Sequence, residues 1–352
     1  MVGELAIMDG GDSLHRSGAR VRVALSGRRV AVEILLGFPL SVSRREDLHA
    51  RLVNLLDVQG LELGTLEVQV RIAAHEVQPN LSPLARIRNV IAVGSGKGGV
   101  GKSTVAVNLA LALAAEGARV GVLDADIYGP SVPMMLGLSG RPDSPDGKTI
   151  QPLRAHGVQA MSIGLLVDQD TPMIWRGPMA TSALTQLLTE TLWGDGEEPL
   201  DYLVVDLPPG TGDIQLTLAQ KIPVAAAVIV TTPQDVATLD ARKALKMFEK
   251  VEVPVLGLVE NMAVHICSRC GHAEHVFGEG GGARMSEAYG VPLLGRLPLL
   301  VDIREHGDSG SPIVASQPAS VTAAAFRDTA LRLAVGLAQR PRATPLISAS
   351  LV

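Results

Sequence analysis

The octapeptide GKGGVGKS, Gly96–Ser103, decides the fold. It fits G-x-x-x-x-G-K-[ST], and its flanks supply the setting that pattern needs. Upstream, NVIAVGSG reads as an apolar strand running into glycines; downstream, KSTVAVNLALALAAEG reads as a helix ended by Gly117. Backbone N–H groups along Gly96, Lys97, Gly98, Gly99, Val100 and Gly101 form a cradle for phosphate oxygens, and the helix adds its positive end. Lys102 can reach the β- and γ-phosphates as a point charge, and Ser103 can place a hydroxyl on Mg2+. Thr104 completes the expected nucleotide-binding run.

The same letters hold a rival, since Gly94-x-Gly96-x-x-Gly99 also spells a dinucleotide fingerprint and Asp124 lies near where a ribose-binding acid would sit. The Lys102–Ser103 pair and a second acidic strand end favour ATP. That strand end is LVVDLPPGTGD, where Asp206 follows four apolar residues and is placed to hold Mg2+ through water. The Pro-Pro-Gly after it stiffens a loop that can sense the γ-phosphate, with Asp213 on it. In VLDADIYGPS, Asp126 is expected to orient the attacking water and Asp124 to support the magnesium shell. Helix caps and solvated turns are the structural alternatives for these acids.

Further out, apolar strands (ARVGVLDAD, YLVVDLPPG, VAAAVIVTT, VPVLGLVEN) alternate with helical segments such as DVATLDARKALKMFEK. This predicts an α/β fold, a P-loop NTPase with a mostly parallel sheet covered by helices on both faces. Before it, ARVRVALSG and RRVAVEILLG alternate like paired strands, RREDLHARLVNLLD has helical spacing, and LGTLEVQVRIAAHEV is strand-like again. The expected organisation of the 352 residues is a flexible leader (1–17), a small α/β domain (18–76), a linker (77–88), the P-loop domain (89–340) and a tail (341–352).

Hydrophobic residues make up 47% and aromatics only 3%, so the core must be built from Val, Leu, Ile and Ala. A net charge of −5 argues against nucleic acid as a partner. No apolar run approaches the ~18 residues of a membrane span, and the N-terminus lacks a basic-then-apolar pattern, so the expectation is a cytoplasmic protein with no membrane partner.

The two cysteines, Cys267 and Cys270, both fall in VHICSRCGHAEH. Two thiolates complete neither a tetrahedral metal site nor an iron–sulfur cluster. Three completions are open. His272 and His275 can join them in a cramped zinc site, with His265 also nearby. Two chains can each give a C-x-x-C across a two-fold axis, supplying four thiolates to one [4Fe–4S] cluster. Or the pair is redox-active or inert.

Lys97 is a second lysine that an ordinary P-loop does not need. With it, the chain resembles the deviant Walker-A ATPases, the group of the MinD and ParA proteins, the nitrogenase iron protein and the Mrp iron–sulfur carriers. DADIYGPSVPMMLG and the run from Glu260 to Val314 resemble the Mrp branch specifically. The resemblance implies a slow, Mg2+-dependent ATPase in which Lys97 reaches the partner's phosphates across a homodimer. It implies that Lys97, Lys102 and Asp126 act in catalysis, and that Asn261 contacts the adenine. For the cysteines it implies a [4Fe–4S] cluster, with a [2Fe–2S] form left open, bridging the two chains and passed to apoproteins, with upstream scaffold proteins as further partners. Residues 18–76 resemble a small iron–sulfur assembly domain that has lost its cysteine. Two other readings stand beside this one: a MinD/ParA-like positioning ATPase without a cluster, and a zinc-binding metallochaperone.

Overall fold

The computed structural model describes residues 2–7, 11, 13–166 and 177–343, which form two sheets over one continuous apolar core and a short hairpin. In the N-terminal sheet, β1 (Arg20–Ser26) turns through Gly27, at φ 62°, into the antiparallel β2 (Arg29–Leu36). Helix α1 (Val42–Asp57) then crosses to β3 (Glu62–Val70), parallel to β2. Leu48, Leu52 and Leu56, one helical turn apart, are its buried stripe.

The large sheet starts with β4 (Ile87–Ser95), followed by α2 (Lys102–Ala115), β5 (Val120–Asp124) and the short α3 (Val132–Met135). Next come β6 (Leu153–Ala155), β7 (Val158–Ser162), α4 (Gly177–Glu190), β8 (Leu200–Asp206) and α5 (Asp213–Lys221). The chain goes on through β9 (Ala226–Thr231), α6 (Asp235–Lys250) and β10 (Val255–Glu260) to a hairpin of β11 (His265–Ile266) and β12 (Ala273–Glu274). It closes with α7 (Gly281–Tyr289), β13 (Leu293–Arg296), α8 (Val301–Asp308), α9 (Ile313–Ser316) and α10 (Val321–Ala338).

The strand order is β13-β10-β9-β4-β8-β5-β7-β6, parallel throughout except for β6. Helices α2 and α10 cover one face with the N-terminal domain beyond them, while α4, α5 and α6 cover the other. Strands buried on both faces explain the near-continuous apolar runs. The order also puts the C-terminal ends of β4, β8, β5, β9 and β10 on one edge, where ligands of such sheets bind.

Two regions differ from the sequence expectation. The leader is folded where it is described: Leu14 is fully buried, Val2 and Ile7 nearly so, and Ala6 bridges Ser13. The short apolar run Leu5–Met8 and a lone Leu14 among Gly, Asp and Ser show no helix or strand period. In the expected tail, Arg342 bridges His75 and the Ala343 N–H donates to the Ala74 carbonyl; residues 344–352 lie outside the described residues.

The N-terminal domain is fastened to the far end of the phosphate-loop helix. Glu116, just past α2 and 1% exposed, accepts from the Ser41 N–H and from Arg44 at 2.9 Å. Arg44 also donates to Asp328 on α10 at 2.6 Å. Arg44→Ala would leave Glu116 buried without its cation, which costs about 3 kcal/mol. Urea unfolding should show that loss, and Glu116→Gln in the Arg44→Ala background should recover part of it.

Candidate nucleotide site and cysteine hairpin

Strand β4 delivers the loop and α2 receives it, at an N-cap Gly101 with φ 79°. The glycines serve different ends. A Cβ on Gly96 would fall 2.0 Å from the Asp240 carbonyl carbon of α6, so only glycine lets the loop pass. A Cβ on Gly101 would meet the Asn261 amide nitrogen at 2.3 Å. Gly99 takes φ 79°, while Gly98 and Gly99 both face open space. Val100 is buried, and the Ser95 hydroxyl donates to the Lys97 carbonyl at 2.9 Å. Gly96→Ala should cost the chain about 3 kcal/mol of stability through overpacking, whereas Gly98→Ala should leave the thermal midpoint of the nucleotide-free protein unchanged.

Beneath the loop, Lys102 Nζ lies 2.5 Å from Asp206 Oδ1 and 3.3 Å from the Ser103 hydroxyl. Asp206 is fully buried, and its Oδ2 has no hydrogen-bond partner among the described residues. Asp124 sits directly across the β5–β8 pairing from it. The Asp126 N–H donates to Asp124 Oδ1, and Oδ2 accepts from the Ser131 and Val132 N–H groups and the Ser162 hydroxyl. Burial, with Asp206 alongside, pushes the Asp124 carboxyl up to about 7. Burial raises Asp206 too, against the pull of Lys102. An orphaned carboxylate oxygen beside a hydroxyl and a second carboxyl, all hard oxygen donors, fits Mg2+.

Both raised carboxyls bind protons more tightly in the folded chain than in the unfolded one. The share that Asp124 contributes is fully present below ~4 and is lost as pH rises through about 7. In EDTA without nucleotide, the thermal midpoint should therefore fall between pH ~6 and ~8. Asp206→Asn, which removes one titrating group and the charge that raises the other, should flatten that slope.

Asp126 is half-buried and lines a cavity of about 520 Å3 with Pro208, Pro209, Gly212 and Asp213. Asp213 is exposed in the first turn of α5. Gly210 ties that loop back to Ser95 by a backbone bond of 3.1 Å. Lys97 is half-buried, and its ammonium has no partner among the described residues. Asn261 has a structural partner. Its amide donates to the Val100 carbonyl at 2.9 Å, fastening the phosphate loop to the end of β10.

Sequence reasoning missed three residues here. Ser162 holds Asp124 from β7, a strand too short to be read from its pattern. Gln215 is 2% exposed in the same cavity, with neither amide atom partnered. Glu260, fully buried, accepts from the Gly282 N–H and from Arg296, fixing α7 and β13 to the root of the cysteine loop. A lone Glu before Asn261 was the only available signal.

Six residues after Asn261, the hairpin presents Cys267 half-exposed and Cys270 exposed, both as free thiols. Cys267 N–H donates to the His272 carbonyl, and Gly271 N–H to the Cys267 carbonyl, each at 2.9 Å. N–H groups of Arg269 and Cys270 directed at its sulfur hold the Cys267 thiol below its ordinary range. His265 and His275 each spend Nδ1 on a backbone carbonyl, of Leu299 and Ala263. No group of three or more His, Cys, Asp or Glu among the described residues is arranged to hold a metal.

Residues 86–334 match the family model described as NUBPL iron-transfer P-loop NTPase, of the ParA group. An iron-sulfur cluster carrier protein of Pseudomonas fragi is 57% identical over 283 residues, covering 80% of this chain and 97% of that one. Among solved structures, a nucleotide-binding protein from Archaeoglobus fulgidus in complex with ADP is 37% identical. It has a TM-score of 0.55 and covers 64% of this chain and 87% of that one. The cell division ATPase MinD of Pyrococcus furiosus, 23% identical with a TM-score of 0.51, covers 70% of this chain and 98% of that one and shares the fold. The chain therefore belongs to the NUBPL family of iron-transfer P-loop NTPases.

Proposed function

We propose that this protein is an ATP-hydrolysing carrier of iron–sulfur clusters. A homodimer would hold one [4Fe–4S] cluster between the Cys267 and Cys270 pairs of its two chains and pass it to apoproteins in the cytoplasm. The observation that carries this reading is the hairpin: two accessible thiols, one biased toward thiolate, with no metal-holding group of three or more His, Cys, Asp or Glu among the described residues. Four thiolates from two chains meet the requirement of a cluster. A ligand set shared across an interface is also easier to open than one enclosed in a domain. The much higher identity to the carrier than to MinD supports this over a positioning ATPase.

In the ATP site, the N–H groups of the loop and Lys102 would bind the phosphates, and Lys102 would leave Asp206 to do so. Ser103 and Asp206 would hold Mg2+, Asp206 through water and with Asp124 behind it. The ion would neutralise charge on the β- and γ-phosphate oxygens. Asp126 would orient the attacking water, and Lys97 would reach the partner's nucleotide. Asn261 would serve the adenine as well as the loop. Because Asn261 ties the loop to the strand that leads to Cys267, closure on ATP would be felt at the cluster.

Iron and sulfide content after anaerobic reconstitution tests this. The reading predicts about four irons per two chains and loss of them in Cys267→Ala/Cys270→Ala, with ATP hydrolysis retained. One zinc per chain and no iron would refute it.

A further inference from the structure

The N-terminal domain carries no cysteine, and neither the nucleotide site nor the hairpin uses it. Its sheet order, β1-β2-β3, leaves β1 at an edge with no further strand among the described residues. On one face of β1, Val23 and Leu25 are 53% and 63% exposed, although their cross-strand neighbours Val32 and Val30 are buried. The cause is the crossover: α1 packs over β3 and stops short of β1. What remains is a mainly apolar groove of about 490 Å3 between Val21, Val23 and Leu25 of β1, Leu56 of α1, and the N-terminal segment, which adds Val2 and His15.

The opposite face is charged in columns. Arg22 stands across from Glu33 as an opposite-charge pair, while Glu33 and Glu67 face each other as like charges. The outermost column is basic, with Arg20 and Arg22 both exposed and neither in an ion pair with a described residue. A strand added at this edge would meet Arg20 and Arg22 and is favoured when it places acids beside them, because opposite charges on facing strands attract and like charges repel. A second copy is a poor occupant. RVRVALS contains no acid, so pairing two β1 edges would gather four arginines on one face with nothing on β1 to answer them.

We propose that the β1 edge and its groove are a docking surface for an extended segment of a partner protein in which apolar residues alternate with Asp or Glu. The segment would pair its backbone with β1 as a fourth strand, lay its apolar residues in the groove and set its acids against Arg20 and Arg22. As an account of how a carrier engages donors or recipients, this rests on the function proposed above.

The test uses the full chain, free of metal and nucleotide, with two labelled octapeptides, alternating Val-Glu and alternating Val-Lys, read by fluorescence anisotropy. Val-Glu should bind about tenfold more tightly than Val-Lys. The order should reverse in Arg20→Glu/Arg22→Glu, whose fold is checked by circular dichroism and thermal unfolding because Arg22→Glu would face Glu33. Val23→Ser/Leu25→Ser should weaken both peptides. N-methylation of alternate residues should abolish binding for one set and spare it for the other, as strand pairing on one edge requires. No binding of Val-Glu, equal binding of both peptides, an unchanged order in the charge-reversed variant, or tolerance of both methylated sets would overturn the proposal. So would self-association in sedimentation that the Val23→Ser/Leu25→Ser variant loses. No cluster takes part in the assay, so its failure leaves the carrier reading standing, and failure of iron binding leaves the peptide result standing.

Discussion

The rest of the molecule depends on two carboxylates held side by side in the middle of a parallel sheet. Asp124 and Asp206 end adjacent strands in register, both without exposed surface. Like charges in an apolar layer demand a cation, and in the nucleotide-free chain Lys102 supplies it from above. The lysine of the phosphate loop is thus held low, against the floor of its own site. Mg2+ would take over the role of compensating charge and free the lysine for phosphate. A buried pair of this kind is costly as architecture.

The sheet order turns that local chemistry into a longer connection. Strand β10 lies two places from β4, yet its end is brought onto the loop by the Asn261–Val100 hydrogen bond. Gly101 makes that approach possible, since a side chain there would displace the asparagine. Glu260, one residue earlier, anchors α7 and β13. The cysteine hairpin therefore leaves from a fixed root whose neighbour touches the phosphate cradle. At its other end, α2 spans about 21 Å to Glu116, where Arg44 fastens the N-terminal domain.

The phosphate loop, its acids and the long helices were legible because each has a local signature. Lys102 and Ser103 follow a fixed spacing, and the helix read from DVATLDARKALKMFEK has the bounds of α6. What stayed hidden depends on contacts distant in sequence. The strands at Val158–Ser162 and Leu293–Arg296 are too short for a period to show. Arg44 looks like a solvated helix residue until Glu116 and Asp328 appear beside it. Asn261 suggested a base contact, since nothing in the sequence brings Val100 near it. For the cysteines, spacing left three completions open, and His265 and His275, each with Nδ1 bonded to a backbone carbonyl, do not choose among them.

The central claim is that one cluster joins two chains through four cysteines. Native mass spectrometry of the anaerobically reconstituted protein weighs that species directly. The account predicts two chains carrying a single [4Fe–4S] mass, and no cluster on any one-chain species. A complete cluster or a zinc ion on a single chain, or clusters retained after both cysteines are replaced, would contradict it.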